Sequence, residues 1–325
     1  MNKLLTVSPS PHIRHPRTTA SIMGTVLLAL APAALASVIL FGINALLVIV
    51  VSNLACALLE FGWCKLLKLK NTVCDLSCFV TGTLLALTLP ANMGKLENLW
   101  MVVLGAFVAI IIVKEFFGGI GYNFANPAIT ARIVLFICFP NVMSSTVHTS
   151  FTDVELASGA TPLGDFMKLM DPTNTKPIEL PSLSDMFLGN HAGALGEVCG
   201  LALVIGGIIL IATKVISWHI PVAFIGTTAI FTFLTCGFDV NLSLFHICAG
   251  GLLIGAIFMA TDYVTSPDTS LGKIVFGIGC GLITGLIRVY GAYPEGVSFA
   301  ILLMNILNPY IIKLTRKKAF GGVKS

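Results

Sequence analysis

Ser158-Gly159-Ala160-Thr161-Pro162 lies in the one long hydrophilic segment of an otherwise apolar chain. Ser, Gly and Ala carry little bulk, so another protein's active site can grip the backbone closely there. Pro162 biases Thr161 toward an extended shape that projects its hydroxyl. The pattern is that of a threonine modified by a second enzyme, which turns a membrane protein into one carrying a cofactor. No Ser/His/Asp or Cys/His constellation accompanies it, and the histidines form no ligand spacing with one another.

A second group of polar residues interrupts apolar sequence. Asn123 and Asn126 precede Pro127, and Gly118-Gly119-Ile120-Gly121 stands just before them. The glycines lack the full dinucleotide fingerprint and follow no strand, so they are read as a bend that brings the two asparagines to a cavity. A carboxamide both donates and accepts, which suits the edge of a flat heteroaromatic ring. Capping of a broken helix is the equal alternative for either residue alone. Arg132 lies farther along the same span, where charge is costly and functional involvement is the default. It can neutralise a phosphate, pair with Glu115 or Glu197, or snorkel to the interface. Thr261-Asp262 and Thr265-Ser266-Pro267-Asp268 offer oxygen ligands for a hard cation, although a hydrated helix end is the favoured reading.

The elements that must hold these residues follow from composition. Of 325 residues, 56% are hydrophobic and 10% charged, against about 25% charge in a soluble domain. The apolar runs are continuous and helix-length, as in an all-α integral membrane protein rather than a barrel. A net charge of +4 gives no footing for nucleic acid. Ten spans are expected, at 22–40, 43–60, 73–90, 97–116, 122–139, 190–212, 217–236, 244–261, 273–290 and 296–314. They divide the chain into a cytoplasmic tail (1–21), a first membrane repeat (22–139), an extracytoplasmic loop (140–189), a second repeat (190–314) and a basic cytoplasmic tail (315–325). Ala34-Leu35-Ala36 resembles a signal-peptide cleavage site, but hydrophobicity continues through it, so a retained first helix is expected.

Fourteen Lys and Arg fall on one side of this arrangement and four on the other, Lys95, Lys168, Lys176 and Arg288. That bias places both termini in the cytoplasm and the Thr161 loop outside. Asn123-x-x-Asn126-Pro127 recurs as Asn305-x-x-Asn308-Pro309, and Pro90 with Gly94-Lys95 echoes Pro267 with Gly272-Lys273. With five spans per half, such repeats must be inverted, an arrangement that puts sites at the repeat interface. Gly251 and Gly255, and Gly277, Gly281 and Gly285, have the spacing of close helix packing.

Asp153-Val-Glu-Leu-Ala-Ser158-Gly159-Ala160-Thr161 resembles the flavinylation motif of the D subunit of Rnf complexes and of its relative, the B subunit of the sodium-pumping NADH:quinone reductase. Ser10-Pro11-His12-Ile13-Arg14, Gly119-Ile-Gly121-Tyr-Asn123-Phe-Ala-Asn126-Pro127, Met259-Ala260-Thr261-Asp262 and Tyr293-Pro294-Glu295-Gly296 extend the resemblance along nearly the whole chain. The absence of a longer N-terminal extension and Thr265-Ser266-Pro267 favour Rnf; Tyr263, where many relatives carry proline, is a departure. The resemblance implies a urea-transporter-like fold of two inverted five-helix repeats in the plasma (inner) membrane. It implies FMN attached by phosphoester to Thr161 by a flavin transferase, with Ser158, Gly159, Ala160 and Asp153 as motif residues. It also implies a noncovalent riboflavin touched by Asn123 and Asn126, while Arg132 is counted among the cofactor-binding candidates. The implied function is electron relay in an ion-translocating (Na+ or H+) ferredoxin:NAD+ oxidoreductase. The implied partners are the other Rnf subunits: G, a flavoprotein; A and E, in the membrane; C, which binds NADH; and B, an iron–sulfur protein that binds ferredoxin. Membrane lipids complete the surroundings. A quinone-reductase subunit and a urea-type channel without a redox role are the alternatives.

Overall fold

A computed structural model describes residues 17–147, 158–159, 161–170, 180–291 and 296–316. Asp153, Ala160, the Ser10–Arg14 motif and Tyr293-Pro294-Glu295 lie outside the described residues.

The chain is a pack of helices. α1 (Thr19–Phe41) starts where the Thr18 hydroxyl accepts from the Ser21 N–H at 3.2 Å, and it runs unbroken through Ala34-Leu35-Ala36. Gly42, at φ 65°, separates it from α2 (Ile43–Leu66). α3 (Ser77–Leu87) is short, and α4 (Leu99–Phe107) continues as a π-helical stretch, Val108–Glu115. α5 (Pro127–Cys138) and the short α6 (Pro140–Ser144) end the first half. The hydrophilic loop that follows has structure of its own. Thr146–Val147 (β1) pairs antiparallel with Ser158–Gly159 (β2), and two helices come next, α7 (Pro162–Met170) and α8 (Leu183–Leu188).

The second half begins with α9 (Gly200–Ala212), α10 (His219–Thr235) and α11 (Val240–Cys248). α12 (Leu252–Ile254) runs into a second π-helical stretch, Gly255–Met259, bent 66° from α11. α13 (Ser270–Tyr290) and α14 (Val297–Thr315) follow. Each of the ten expected spans thus contains a helix, but they are unequal. Among the described residues four helices, α1, α2, α13 and α14, are long and apolar enough to cross a membrane, and the bent α11–α12 pair makes a fifth. α3, α5, α9 and α10 are shorter. The fifth expected span begins five residues late, because Asn126 caps the helix and Pro127 opens it. Proline suits that position, where its missing N–H costs nothing.

The expected glycine packing is present along α13. A Cβ at Gly277, Gly281 or Gly285 would stand 2.7 Å from Ala223 Cβ, 2.7 Å from Thr227 Cβ or 2.4 Å from Phe231 Cδ1, all on α10. The two Asn-x-x-Asn-Pro landmarks occupy unlike places, one opening α5 and the other inside α14. Pro90 leads into a 3₁₀ turn (Ala91–Gly94), whereas Pro267 precedes α13. Short-range sequence identity between them therefore does not carry equal backbone roles. Two of the eighteen side chains in the charge count are not interfacial: Lys114 and Arg288 are buried at 3% and 2% exposure.

Candidate functional site

Thr161 is the residue before Pro162, and the extended bias that proline imposes is also what an N-cap requires. Its carbonyl accepts from Asp165 N–H at 2.9 Å and its hydroxyl oxygen from Gly164 N–H at 3.2 Å, so Thr161 caps the start of α7. α7 is anchored from below. Leu163 and Phe166 are buried in a small cluster with Met186, Cys236, Phe245 and Ala249. The Phe166 ring meets His246 edge-on at 4.7 Å. Arg288 reinforces that platform by donating to the carbonyls of His246 and Ala249 at the end of α11.

Thr161, His191, Glu197 and Gly250 line a pocket of about 230 Å³. Of the options open to Arg132, the structure takes one: its guanidinium pairs with Glu197 at 3.0 Å, both side chains buried. Gly251 makes room for the pair, since a Cβ there would come within 2.7 Å of Glu197 Oε1. Arg132 therefore belongs with the Thr161 side of the molecule, separated from Asn126 by six residues, a rise of about 9 Å along α5.

Asn123 and Asn126 lie at the other end of α5, where they line a cavity of about 860 Å³. It is bounded by Met23 and Val26 of α1, Ser77 and Thr81 of α3, Lys114, and the Thr261–Val264 segment. Asn126 has a structural task as well: its Oδ1 accepts from Ala128 and Ile129 N–H at 3.0 and 3.3 Å, and its Nδ2 donates to Met259 O at 3.1 Å. With the Asn305 amide turned to suit both neighbours, its oxygen accepts from Asn126 N–H at 3.1 Å and its nitrogen donates to Thr265 O at 3.3 Å. The two asparagine motifs read in the sequence thus meet in space. Asn123 is less committed, donating to Ala125 O at 3.0 Å and lying within reach of the Asp262 carboxyl. Asp262 accepts from Thr265 Oγ1 at 3.0 Å, and burial raises its carboxyl above the usual range.

Lys114 and Glu60 were not singled out in the sequence, yet they form a buried ion pair at 2.6 Å beside this cavity. Ser77 Oγ accepts from Lys114 at 2.8 Å and Thr72 Oγ1 donates to Glu60 at 2.6 Å. The available signal was their position: both are charges inside otherwise apolar spans. Among the described residues no group of three or more His, Cys, Asp or Glu side chains is gathered for a metal.

The family model for the NQR2, RnfD, RnfE family matches residues 6–321. The D subunit of the Na(+)-translocating ferredoxin:NAD(+) oxidoreductase complex of Acetobacterium woodii is 45% identical over 327 aligned positions, covering 100% of this chain and 98% of that protein. Its counterpart in the proton-translocating ferredoxin:NAD(+) oxidoreductase complex of Clostridium ljungdahlii is 41% identical, with 98% and 96% covered. The D subunit of the ion-translocating oxidoreductase complex of Yersinia enterocolitica is 33% identical, with 97% and 98% covered.

Proposed function

The chain belongs to the NQR2, RnfD, RnfE family, and on that footing we propose that it is the D subunit of an ion-translocating ferredoxin:NAD+ oxidoreductase. It acts as an electron-relaying membrane subunit with no stand-alone catalysis. The observation that carries the reading is 45% identity maintained along the whole chain.

In this reading Thr161 carries FMN through a phosphoester, and a riboflavin occupies the cavity of about 860 Å³ at the other end of α5. A bound flavin supplies electron-transfer chemistry; the protein supplies position and electrostatics. The residues fit both groups. Thr161 offers the hydroxyl that a phosphoester needs at the start of α7, where N–H groups and the helix dipole favour an anion. Thr161 borders a small pocket in which Arg132 offsets the charge of the Glu197 that lines it. The apolar walls of the larger cavity face the flat of a ring, and Asn123, Asn126, Thr261 and Asp262 offer polar atoms to a ring edge or ribityl chain. Ser158, Gly159, Ala160 and Asp153 belong to the segment that the flavin transferase grips.

The architecture that goes with this function is ten spans in two inverted repeats of five, with domain limits at 22–139 and 190–314. A helical segment within each of the ten expected spans supports it. Both termini are placed in the cytoplasm and Thr161 outside the plasma membrane. α1 agrees in length: its 23 residues extend about 35 Å, with Met23 beside the larger cavity and Leu40 beside Gly189. The proposed partners are the other Rnf subunits (A, B, C, E and G), the flavin transferase and membrane lipid.

Thr161→Val tests the tether. The variant keeps the side chain's shape and removes the hydroxyl. The expected result is an inserted chain with no flavin fluorescence on a denaturing gel, and fluorescence that persists overturns the assignment.

A further inference from the structure

Among the described residues that line the larger cavity Lys114 is the one cation, and its placement there is built rather than incidental. The π-helical stretch Val108–Glu115 inserts an extra residue per turn and brings both Lys114 and Glu115 into the interior. Lys114 Nζ is then fixed by Glu60 Oε2 at 2.6 Å and Ser77 Oγ at 2.8 Å. Ser77 lines the same cavity. An ammonium has three N–H donors; two are taken by these contacts, leaving the third for the cavity. A buried ion pair is rarely a net gain over apolar packing, and charge at this depth points to a ligand or pathway. The Asp262 carboxyl and the Asn123 amide line the same cavity and supply complementary polar groups.

From this arrangement we propose that Lys114 is a ligand-binding residue, its third N–H donating to the carbonyl edge of a flavin ring and favouring a ring that bears negative charge. The proposal rests on the reading of the cavity as a flavin site. Glu60 and Ser77 are positioning residues: they act through Lys114 by fixing where the ammonium points. Glu60 also neutralises the ammonium while the cavity holds a neutral ring. Asp262, lining the same cavity, accepts from the ring's N–H or from a ribityl hydroxyl, so the ligand is held by a donor from Lys114 and an acceptor from Asp262.

The test uses the intact complex, stripped of exchangeable flavin and re-equilibrated with radiolabelled riboflavin by dialysis. Glu60→Gln/Lys114→Gln keeps a hydrogen-bonded pair in place of the ions, so no charge is left buried alone. Each protein is measured with oxidised riboflavin and, in mildly alkaline buffer under argon with excess dithionite, with the reduced, anionic ring. The wild type is expected to bind both. The double variant should bind the oxidised ring several-fold more weakly and the anionic ring about 10- to 100-fold more weakly, the factor associated with a hydrogen bond to a charged group. Unchanged binding of both forms overturns the proposal, and so does an equal loss for both, which is the mark of a purely structural role. If the wild type takes up no riboflavin, the flavin reading of the cavity falls and the Lys114 proposal falls with it. Should the double variant fail to fold, Ser77→Ala provides the same comparison. It removes only one group that aims the ammonium, and a smaller loss biased toward the anionic ring is expected. Equal affinities in Ser77→Ala and wild type for both forms overturn the proposal.

Discussion

Replacing Asn126 separates the work of a helix cap from that of a ligand. Its Oδ1 accepts from two N–H groups at the start of α5, and loss of such a cap costs about 0.5–2 kcal/mol. Its Nδ2 donates to Met259 O, 133 positions away. Met259 O also receives Asp262 N–H at 3.4 Å, so losing the Asn126 donor does not strip that carbonyl. The tie is therefore worth about 1 kcal/mol, the net value of an ordinary hydrogen bond. Asn126→Leu loses both and is expected to destabilise by about 1.5–3 kcal/mol. Asn126→Ser keeps a capping oxygen but cannot reach across, and should cost about 1 kcal/mol. Asn123→Leu gives up a local bond to Ala125 O and the contact with the Asp262 carboxyl on a partly exposed residue, so its cost should be about 1–2 kcal/mol. Buried Cys56, Cys78 and Cys280 provide the assay: a thiol-reactive fluorophore added to detergent-solubilised protein during a thermal ramp reports when they become accessible. All variants are compared at one scan rate, with acid-extractable riboflavin measured on the same samples. Riboflavin lost from Asn123→Leu without a lower transition identifies a ligand contact, whereas loss from Asn126→Leu mixes both causes. Equal transitions for wild type, Asn126→Ser and Asn126→Leu would refute the capping argument.

Arg132→Met removes the guanidinium that pairs with the buried Glu197 carboxylate and should destabilise by about 3–5 kcal/mol; adding Glu197→Leu should restore much of the loss, and a double variant no better than the single one refutes that account. Gly281→Ala forces a methyl to 2.7 Å from Thr227 Cβ and should lower stability by about 1–3 kcal/mol. Gly226→Ala, where a Cβ meets nothing within 4 Å, is the control expected to be neutral or stabilising. For orientation, a cysteine at Thr173 should react with an impermeant thiol reagent on intact cells and one at Lys324 should not, each in a background lacking the exposed Cys74 and Cys138. The reverse pattern overturns the placement of Thr161 outside.

Hydropathy located every helical segment of the core, because lipid solvation acts locally: a continuous apolar run in lipid has to satisfy its own backbone. The motif around Thr161 and the polar interruption at Asn123 and Asn126 were likewise visible one residue at a time. Their partners were not. Arg132 had three options on paper, and which one it takes depends on α5 lying against the segment before α9. Lys114 passed for an interfacial charge until the π-helical stretch turned it toward Glu60. The proline that extends the Thr161 backbone also starts a helix that the Thr161 hydroxyl oxygen caps. Sequence thus determined the membrane class, the helical segments and the position of the Thr161 motif in the hydrophilic loop, all set by local composition and spacing. Tertiary structure alone decided which buried charges pair and which residues share a cavity. Those choices join Glu60 to Lys114 across 54 positions and Asn126 to Met259 across 133. A buried polar group takes the partner that helix packing brings near, and nothing in the local periodicity encodes that distance.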